Sequence, residues 1–377
     1  MAGYIFSINK KESLEDAIIN GVYSTIINLP KNNIWTQSHE GTFADYITMK
    51  EGDNVYFFHN RKIYGIGTLI NINDDCKFLN FPGSDLPSNY SFSRIKKSVI
   101  LNKSAKNIKN RMLCVYKPSP HFFKNGVDMD EVLAYNPGKF KMLRAFWRLS
   151  FIKIDDEENK ALTDVILKNN ECDIGVKTKI YSTSTKIHDR VKKIATKKYE
   201  VKSDNILDSC KGNNNDVRHE MALEAGILDY ISNRRTDIFG YWDYISHQVV
   251  ASPFKPVDYM DKMDIFGYKY ISGYTTISKY LTIEIKKEFA LPEDIHQIMK
   301  YVDWINQEYS FGDYNMIKAF LVAHDFPDEV LKAKIEVAKR NFIKGRRPVQ
   351  SMTWSDLRLI KYCYNPDSKK LSFSELR

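Results

Sequence analysis

The chain has 377 residues, of which 27% are charged and 43% are hydrophobic, and this length predicts two or three domains. No apolar run approaches the roughly 18 residues that cross a bilayer, and the N-terminus lacks the order of a signal peptide, so we expect a cytoplasmic protein with no membrane partner. The net charge of +9 favours a polyanionic partner.

The five cysteines are dispersed along the chain and form no C-x-x-C pair. This pattern argues against a disulfide framework or a structural zinc site, and it fits a reducing compartment. The sequence also has no G-x-x-x-x-G-K-[ST] pattern, so nucleotide hydrolysis is not expected.

Residues 1–168 alternate short apolar segments with turn residues, which predicts an N-terminal domain rich in β-strands. A strand is expected from Gly3, followed by a short helix that ends at Gly21. The two apolar segments on either side of Asn60-Arg61 predict a hairpin.

The first arm of this hairpin begins with Gly52-Asp53 and an apolar run, and the second contains Ile63-Tyr-Gly65-Ile-Gly67. This arrangement resembles the PUA-like superfamily, in particular EVE-like and YTH-like domains. The resemblance implies a small β-barrel with an aromatic pocket for a modified or flipped base. Trp35, in a polar loop, is the first candidate for that pocket and Phe57 the second, although aromatic residues of a small barrel more often fill its core.

Residues 169–215 are predicted to form a basic connector. Between residues 174 and 203 there are nine Lys or Arg against two acidic residues. Such a run can be a solvated helix face, but in a chain that favours a polyanionic partner it also suits phosphate contacts. The residues that we expect to bind nucleic acid in this run are Lys192, Lys193, Lys197 and Lys198. A second basic cluster, at residues 339–347, could do the same.

The most informative pattern is Glu284-Ile-Lys286, inside an apolar segment. On an extended strand, residues two apart point to the same side. A carboxylate and an ammonium together on an apolar strand are typical of metal-dependent nucleases, in which the carboxylate binds the metal and the lysine positions water or stabilises charge. A half-exposed strand without such a function can show the same letters.

A helix is predicted after this strand, because apolar residues recur at positions 295, 298, 302 and 305. Gln297 and Tyr301 are one turn apart and share a face of that helix. Residues 314–323 then indicate a buried strand.

This strand–helix–strand order, with E-x-K and then Q-x-x-x-Y, resembles the PD-(D/E)XK nuclease superfamily, in particular its NucS-like and Mrr-like branches. The resemblance covers roughly residues 216–330. It implies that residues 216–377 form a mixed sheet flanked by helices, so that the whole chain is an α/β protein (α+β overall). It also implies a Mg²⁺ cofactor, for which Mn²⁺ may substitute.

The resemblance assigns roles to individual residues. The metal would be held by an aspartate on the preceding strand, by Glu284 and by a backbone carbonyl near Ile285. Lys286 would orient or help deprotonate the attacking water, and Gln297 and Tyr301 would hold the ligands or a phosphate oxygen.

For two positions of this site the sequence offers more than one candidate residue. Asp264 is the best match for the strand aspartate, with Asp258 and Asp261 as competitors. The family also places a glutamate on a preceding helix, where Glu220 is our first choice and Glu224, one turn later, the second.

The resulting hypothesis is a Mg²⁺-dependent DNA endonuclease with a separate DNA-reading domain, as in restriction or modification-dependent anti-phage defence enzymes. Its expected partner is double-stranded DNA, modified or not, and cutting both strands predicts a homodimer. The alternatives are a non-catalytic nucleic-acid-binding protein, or a nuclease that acts on RNA or on branched or mismatched DNA.

Overall fold

The computed structural model describes residues 1–26, 43–79, 111–145, 151–194, 203, 207–208, 210–233, 237–251 and 261–376. The chain divides near residue 203 into two compact units, unit 1 before this point and unit 2 after it. Both units combine helices with mixed sheets, which confirms the predicted α/β class. Within these ranges, no helix has the length and apolar character needed to cross a membrane.

Unit 1 is built on one curled sheet. Its strands are β1 (Gly3–Ser7), β2 (Val22–Ile26), β3 (Asn54–His59), β4 (Lys62–Leu69), β5 (Lys77–Leu79), β6 (Arg111–Pro118), β7 (Val127–Asp128) and β8 (Phe151–Ile154). The main path of the sheet is β2-β6-β4-β3-β1-β8, with β5 on β6 and β7 on β4. The helices are α1 (Lys11–Asn20), α2 (Met129–Tyr135), α3 (Met142–Ala145), α4 (Asp156–Asn169) and α5 (Lys186–Ile194).

Two local predictions for unit 1 are confirmed. Strands β3 and β4 form an antiparallel hairpin in which His59 pairs with Lys62, and both turn residues between them, Asn60 and Arg61, have positive φ. Helix α1 ends at Gly21, whose φ of 59° is left-handed. A side chain there would be strained and would also meet the Tyr116 carbonyl oxygen, 2.3 Å from an added Cβ.

Phe57 lies in the core of unit 1. Its side chain is fully buried, and its ring centroid lies 5.7–6.0 Å from those of Phe6, Tyr23, Tyr116 and Phe122. Strand β3 is buried on both faces over residues 55–57, so the pattern that suggested an accessible aromatic side chain arises from core packing. We therefore assign Phe57 to the core and not to a nucleic-acid contact.

The segment predicted as a connector contributes its helix to unit 1. Helix α5 packs on α1, Val191 is fully buried, and the His188 Nε2 atom lies 2.8 Å from the Gly21 carbonyl oxygen. Lys192 stays exposed on this helix. The division of the chain thus falls near residue 203, whereas the sequence predicted the start of the nuclease-like domain at Asp216.

Unit 2 is built on a six-stranded mixed sheet of order β16-β15-β12-β11-β10-β9. Strand β10 is antiparallel to both β9 and β11, β12 is parallel to both β11 and β15, and β16 is antiparallel to β15. The elements of unit 2 are α6 (Glu220–Ser232), β9 (Tyr244–Val250), β10 (Lys262–Tyr270), β11 (Ile277–Ile285), α7 (Pro292–Ile305), β12 (Ile317–Ala323), α8 (Asp328–Val337), β13 (Arg340–Arg346), β14 (Val349–Trp354), β15 (Leu357–Asn365) and β16 (Lys370–Leu376).

Helices cover this sheet and make β11 a buried central strand. Helix α7, which the apolar spacing predicted, packs on β11 and β12, and α6 packs on β9, β10 and β11. All of β11 from Tyr280 to Ile285 is buried on both faces. Any charged residue in this stretch is therefore withdrawn from water and needs a partner.

Glu158 on α4 joins two elements of unit 1. It is fully buried, and its Oε1 atom accepts the backbone N–H groups of Lys141, Met142 and Leu143 at 2.7, 2.9 and 3.3 Å. These donors lie at the start of α3, where backbone N–H groups have no carbonyl acceptor within the helix.

Replacing Glu158 by alanine should leave these three N–H groups without their acceptor. We expect Glu158→Ala to lower the free energy of unfolding of unit 1 by about 2–4 kcal/mol, measured by urea denaturation. Glu158→Gln keeps an amide oxygen as acceptor and should cost less than half as much. Equal losses in the two variants would contradict this role.

Candidate active site

Asp264 and Glu284 meet where the β10–β11 ladder ends. The last paired residues are Ile265 and Ile283, so Asp264 and Glu284 occupy the next position on each strand and point to the same face. The ladder does not continue there, because the Asp264 Oδ2 atom accepts the N–H of Ile285 at 2.8 Å. Two carboxyl groups from neighbouring strands are thus held side by side.

Glu284 is the most deeply buried group of the site, with 1% exposure. Its Oε1 atom accepts a hydrogen bond from the Lys286 ammonium at 2.8 Å. Its Oε2 atom is buried and has no hydrogen-bond partner among the described residues. Burial, and then the charge of Asp264, raise the pKa of Glu284 to about 8 despite the opposing effect of Lys286. A buried carboxylate oxygen without a donor needs an explanation, and a bound cation is one of the ordinary ones.

Asp264 is fixed from two directions. Its Oδ1 atom accepts the Gln248 side-chain amide of β9 at 3.0 Å, in addition to the Ile285 N–H. Burial raises the pKa of Asp264 to about 6, the charge of Glu220 adds to this shift, and the Ile285 N–H and Lys286 oppose it. Both carboxyl groups of the pair are therefore harder to ionise than free ones.

Lys286 supplies a positive charge beside the pair. Its ammonium lies 2.8 Å from Glu284 and 3.5 Å from the Oδ1 atom of Asp294. Burial lowers the pKa of Lys286, but the charges of Glu284 and Asp294 outweigh it and the net shift is upward. The side chain is therefore an ammonium at neutral pH.

Asp294 also contacts Lys286 and was not predicted from the sequence. It is the third residue of α7, and its Oδ2 atom accepts the Leu291 N–H at 2.7 Å. The run Pro292-Glu-Asp294 is a normal helix start, so the sequence predicts that Asp294 caps the helix. It gives no sign of the second contact, with Lys286. Gln248 on β9 was missed as well, since no local pattern marks it.

Helix α7 faces the same pair of carboxylates. The Gln297 amide donates to the Tyr301 hydroxyl at 3.1 Å, as their one-turn spacing allows. The pKa of Tyr301 is raised by burial and then by the charges of Glu284 and Asp264. Tyr301 thus lies within electrostatic range of Glu284 and Asp264, and Gln297 is joined to it by this hydrogen bond.

The two candidate glutamates of α6 lie in different surroundings. Glu220, the first residue of the helix, is exposed, and its Oε1 atom lies 3.4 Å from the Lys287 backbone nitrogen that donates to it. Glu224 is buried, and its Oε1 atom lies 3.4 Å from His247 Nδ1. His247 pairs directly with Ile265, so this contact is on the other face of the sheet from Asp264. Only Glu220 lies close to the carboxylate pair.

The remaining predicted residues either lie at the edge of the site or are outside the part of the chain that the structure describes. Asp261 lies just before β10, and its charge contributes to the raised pKa of Tyr301. The positions outside the described residues are Trp35, Lys197, Lys198 and Asp258, and the side chain of Lys193.

The donor set suits a hard divalent cation. In the described part of the chain, no three His, Cys, Asp or Glu side chains are grouped so that they could hold a metal ion. Asp264 and Glu284 are instead a pair of carboxylates, to which a backbone carbonyl near Ile285 would add a third oxygen ligand. Mg²⁺ usually takes one or two carboxylates and completes its shell with water and substrate phosphate. The buried, unpartnered Oε2 of Glu284 fits such an ion.

Comparisons with known proteins do not assign a family. No protein-family model matches the chain, and no curated protein matches it. A solved structure to which the chain is weakly similar is that of a hypothetical protein from Leishmania major, with a TM-score of 0.27 and 12% identity over 46% of this chain and 97% of that protein. A likeness at this level carries no argument about fold or function.

The raised pKa values predict how stability depends on pH without metal. Because the folded state holds the protons of Asp264 and Glu284 to higher pH than the unfolded chain does, the free energy of unfolding falls as pH rises from about 4 to about 8. Glu284→Gln cannot ionise and should remove the Glu284 part of this fall. In EDTA at about pH 9 it should be more stable than the parent by roughly 1–3 kcal/mol, with no gain near pH 4.

This expectation has a nearby control. Glu288 is an exposed glutamate four residues later, and Glu288→Gln should leave the pH dependence unchanged. The measurement is urea denaturation across this pH range. If Glu284→Gln were less stable than the parent at high pH, the ionised carboxylate would be stabilising the fold, contrary to the assignment.

Proposed function

We propose that this chain is a divalent-metal-dependent nuclease that hydrolyses phosphodiester bonds in DNA, with its active site at Asp264, Glu284 and Lys286. One observation supports this most: two carboxylates converge on a buried central strand, and one of them keeps an oxygen without a donor among the described residues. Such an arrangement costs stability. A cost of this kind is typical of functional sites.

Each residue of the site has a chemical role in this proposal. Asp264, Glu284 and a carbonyl near Ile285 would hold the metal, which we take to be Mg²⁺ with Mn²⁺ as a substitute. When bound, the metal would neutralise phosphate charge and activate water. Gln248 fixes the Asp264 carboxylate, and Glu220 stands at the edge of the site.

Lys286 would act as a positive charge and hydrogen-bond donor. Its raised pKa favours the ammonium form, so it is suited to orient the attacking water and to stabilise the charge that develops on the phosphate, and not to take up a proton. Asp294 holds the ammonium in place. Gln297 and Tyr301, which bond to each other, would position the ligands or a phosphate oxygen.

For unit 1 we propose a DNA-reading role, so that the whole chain would act as a restriction or modification-dependent defence nuclease on double-stranded DNA, working as a homodimer. The net charge of +9 supports a nucleic-acid partner. The exposed Lys192 on α5 lies in the basic run of this unit. PUA-like base recognition rests on the sequence resemblance alone.

Lys286→Ala should abolish cleavage and keep DNA binding. Removing one ammonium from the reaction centre is expected to lower the rate by at least about 100-fold, whereas most of the affinity comes from phosphate contacts elsewhere. Cleavage is measured in Mg²⁺ on plasmid and phage DNAs of differing methylation, which also tests modification dependence. Binding is measured in EDTA on the same DNAs.

The adjacent Lys287 provides the matched control. Lys287→Ala removes the same charge from a side chain that is 42% exposed and pairs with Glu288 at 3.2 Å. We expect less than about a tenfold change in its cleavage rate. Unchanged cleavage by Lys286→Ala, or equal losses in both variants, would refute the assigned site.

Metal binding should strengthen as pH rises. The metal requires ionised carboxylates, and the pKa values of Asp264 and Glu284 are raised to about 6 and about 8. Affinity for Mg²⁺ should therefore fall about tenfold for each pH unit from about 8 to about 6 and more steeply below that, where Asp264 is protonated as well, and binding near neutral pH should release protons. Calorimetry in two buffers of different ionisation enthalpy measures both effects.

Asp264→Asn is the control for this titration, because it removes one ligand and should abolish Mg²⁺ binding at every pH. Glu288→Gln should bind Mg²⁺ as the parent does. An affinity that is independent of pH between about 6 and 9, without proton release, would show that these carboxylates do not hold the metal.

A further inference from the structure

The hairpin formed by β13 and β14, here called the basic ribbon, is unusually charged. Residues 338–355 contain five cations and no carboxylate. These cations are Lys339, Arg340, Lys344, Arg346 and Arg347. The two strands pair with each other and form a sheet separate from the six-stranded one.

The base of the basic ribbon is fixed to unit 2. The Arg340 guanidinium donates two hydrogen bonds to Asp303 of α7, at 2.8 and 2.9 Å, a strong bidentate geometry. At the other strand, the Trp354 indole N–H donates to the Ile317 carbonyl at 3.0 Å. These contacts tie the ribbon to the end of α7 and to the start of β12.

The tip of the basic ribbon is turned to solvent. Lys344 and Arg347 are exposed, and within the described residues neither forms an ion pair with an acidic side chain. Ile343 and Val349 beside them are 64% and 65% exposed. Exposed cations that have no acidic partner among the described residues, together with exposed β-branched side chains on a held ribbon, suit a partner that is anionic and has some apolar surface.

We propose that the basic ribbon binds a groove of duplex DNA, with Lys344 and Arg347 contacting its phosphates. The choice of DNA rests on the proposed nuclease function. A two-stranded ribbon fits the major groove, which is about 12 Å wide. Phosphate oxygens supply the missing counter-charges, and the thymine methyl groups in this groove offer apolar contacts to side chains such as Ile343 and Val349.

The position of the ribbon agrees with a duplex substrate. Its base contacts Ile317 at the start of β12, and the active-site residue Lys286 donates its backbone N–H to Val322 near the end of β12. Five residue steps along a strand span roughly 17 Å, about half a helical turn of B-DNA. The ribbon would thus hold the duplex half a turn or more from the scissile phosphate, and a single strand offers no groove there.

The test compares Lys344→Ala/Arg347→Ala with Lys332→Ala/Lys370→Ala in the full chain. Both double variants remove two positive charges, and all four side chains are exposed in unit 2. Binding of a fluorescein-labelled 30-base-pair duplex is measured in EDTA at several salt concentrations. Loss of two phosphate contacts should lower the slope of log affinity against log salt by about 1.8. The control pair should leave the slope unchanged.

An unchanged slope in the ribbon variant, or no duplex binding by the parent, would overturn the inference. A second copy of the chain is the competing occupant, and it predicts that the ribbon variant changes the oligomeric state in sedimentation without changing the slope. Equal urea midpoints for parent and variant exclude a folding defect. Cleavage by the parent in Mg²⁺ is scored separately, so a ribbon that binds DNA in a chain that does not cut would refute only the nuclease proposal.

Discussion

The feature on which the rest of unit 2 depends is the point where the β10–β11 ladder stops. One strand position beyond Ile265 and Ile283, a side-chain carboxylate replaces a backbone carbonyl as the acceptor for the Ile285 N–H. This exchange brings the Asp264 carboxylate beside that of Glu284 on a strand that is buried on both faces. Two carboxyl groups in such a place repel each other and lose hydration, so every neighbouring element has to reduce that cost.

The surrounding elements divide this task. Strand β9 contributes the amide of Gln248, β11 itself contributes Lys286, and the first turn of α7 contributes Asp294, which keeps the lysine beside Glu284. Tyr301 lies one helical turn after Gln297, and the charges of both carboxylates contribute to its raised pKa. The position of α7 is therefore tied to the chemistry of the site as well as to the apolar packing of the sheet.

Local spacing accounts for what could be predicted from the sequence. Glu284 and Lys286 are two apart on a strand, and Gln297 and Tyr301 are four apart on a helix, so each pair is on one face whatever the rest of the chain does. Contacts between distant elements left no such signal, which is why Gln248 and Asp294 were missed. Phe57 was misjudged because a strand buried on both faces does not show which side leads to a pocket.

Larger units were harder to predict for the same reason. The limits of a domain depend on packing, and α5 joins unit 1 through Val191 and a contact between His188 and the backbone at Gly21. The basic run that contains α5 looked like a connector because its composition is charged. Similarly, residues 339–347 were recognisable as a basic cluster, but only strand pairing shows that they form a ribbon with a fixed base.

The ion pair between Lys286 and Glu284 bears on the order of folding and metal binding. The Lys286 ammonium lies 2.8 Å from Glu284, the most buried carboxylate of the site, so unit 2 carries its own counter-ion for that group. This differs from zinc fingers, in which metal binding and folding are one event. Under the proposed function, a folded chain would therefore await only Mg²⁺ and DNA, and the Lys286 ammonium, held by Asp294, would stay beside the metal and not be displaced by it.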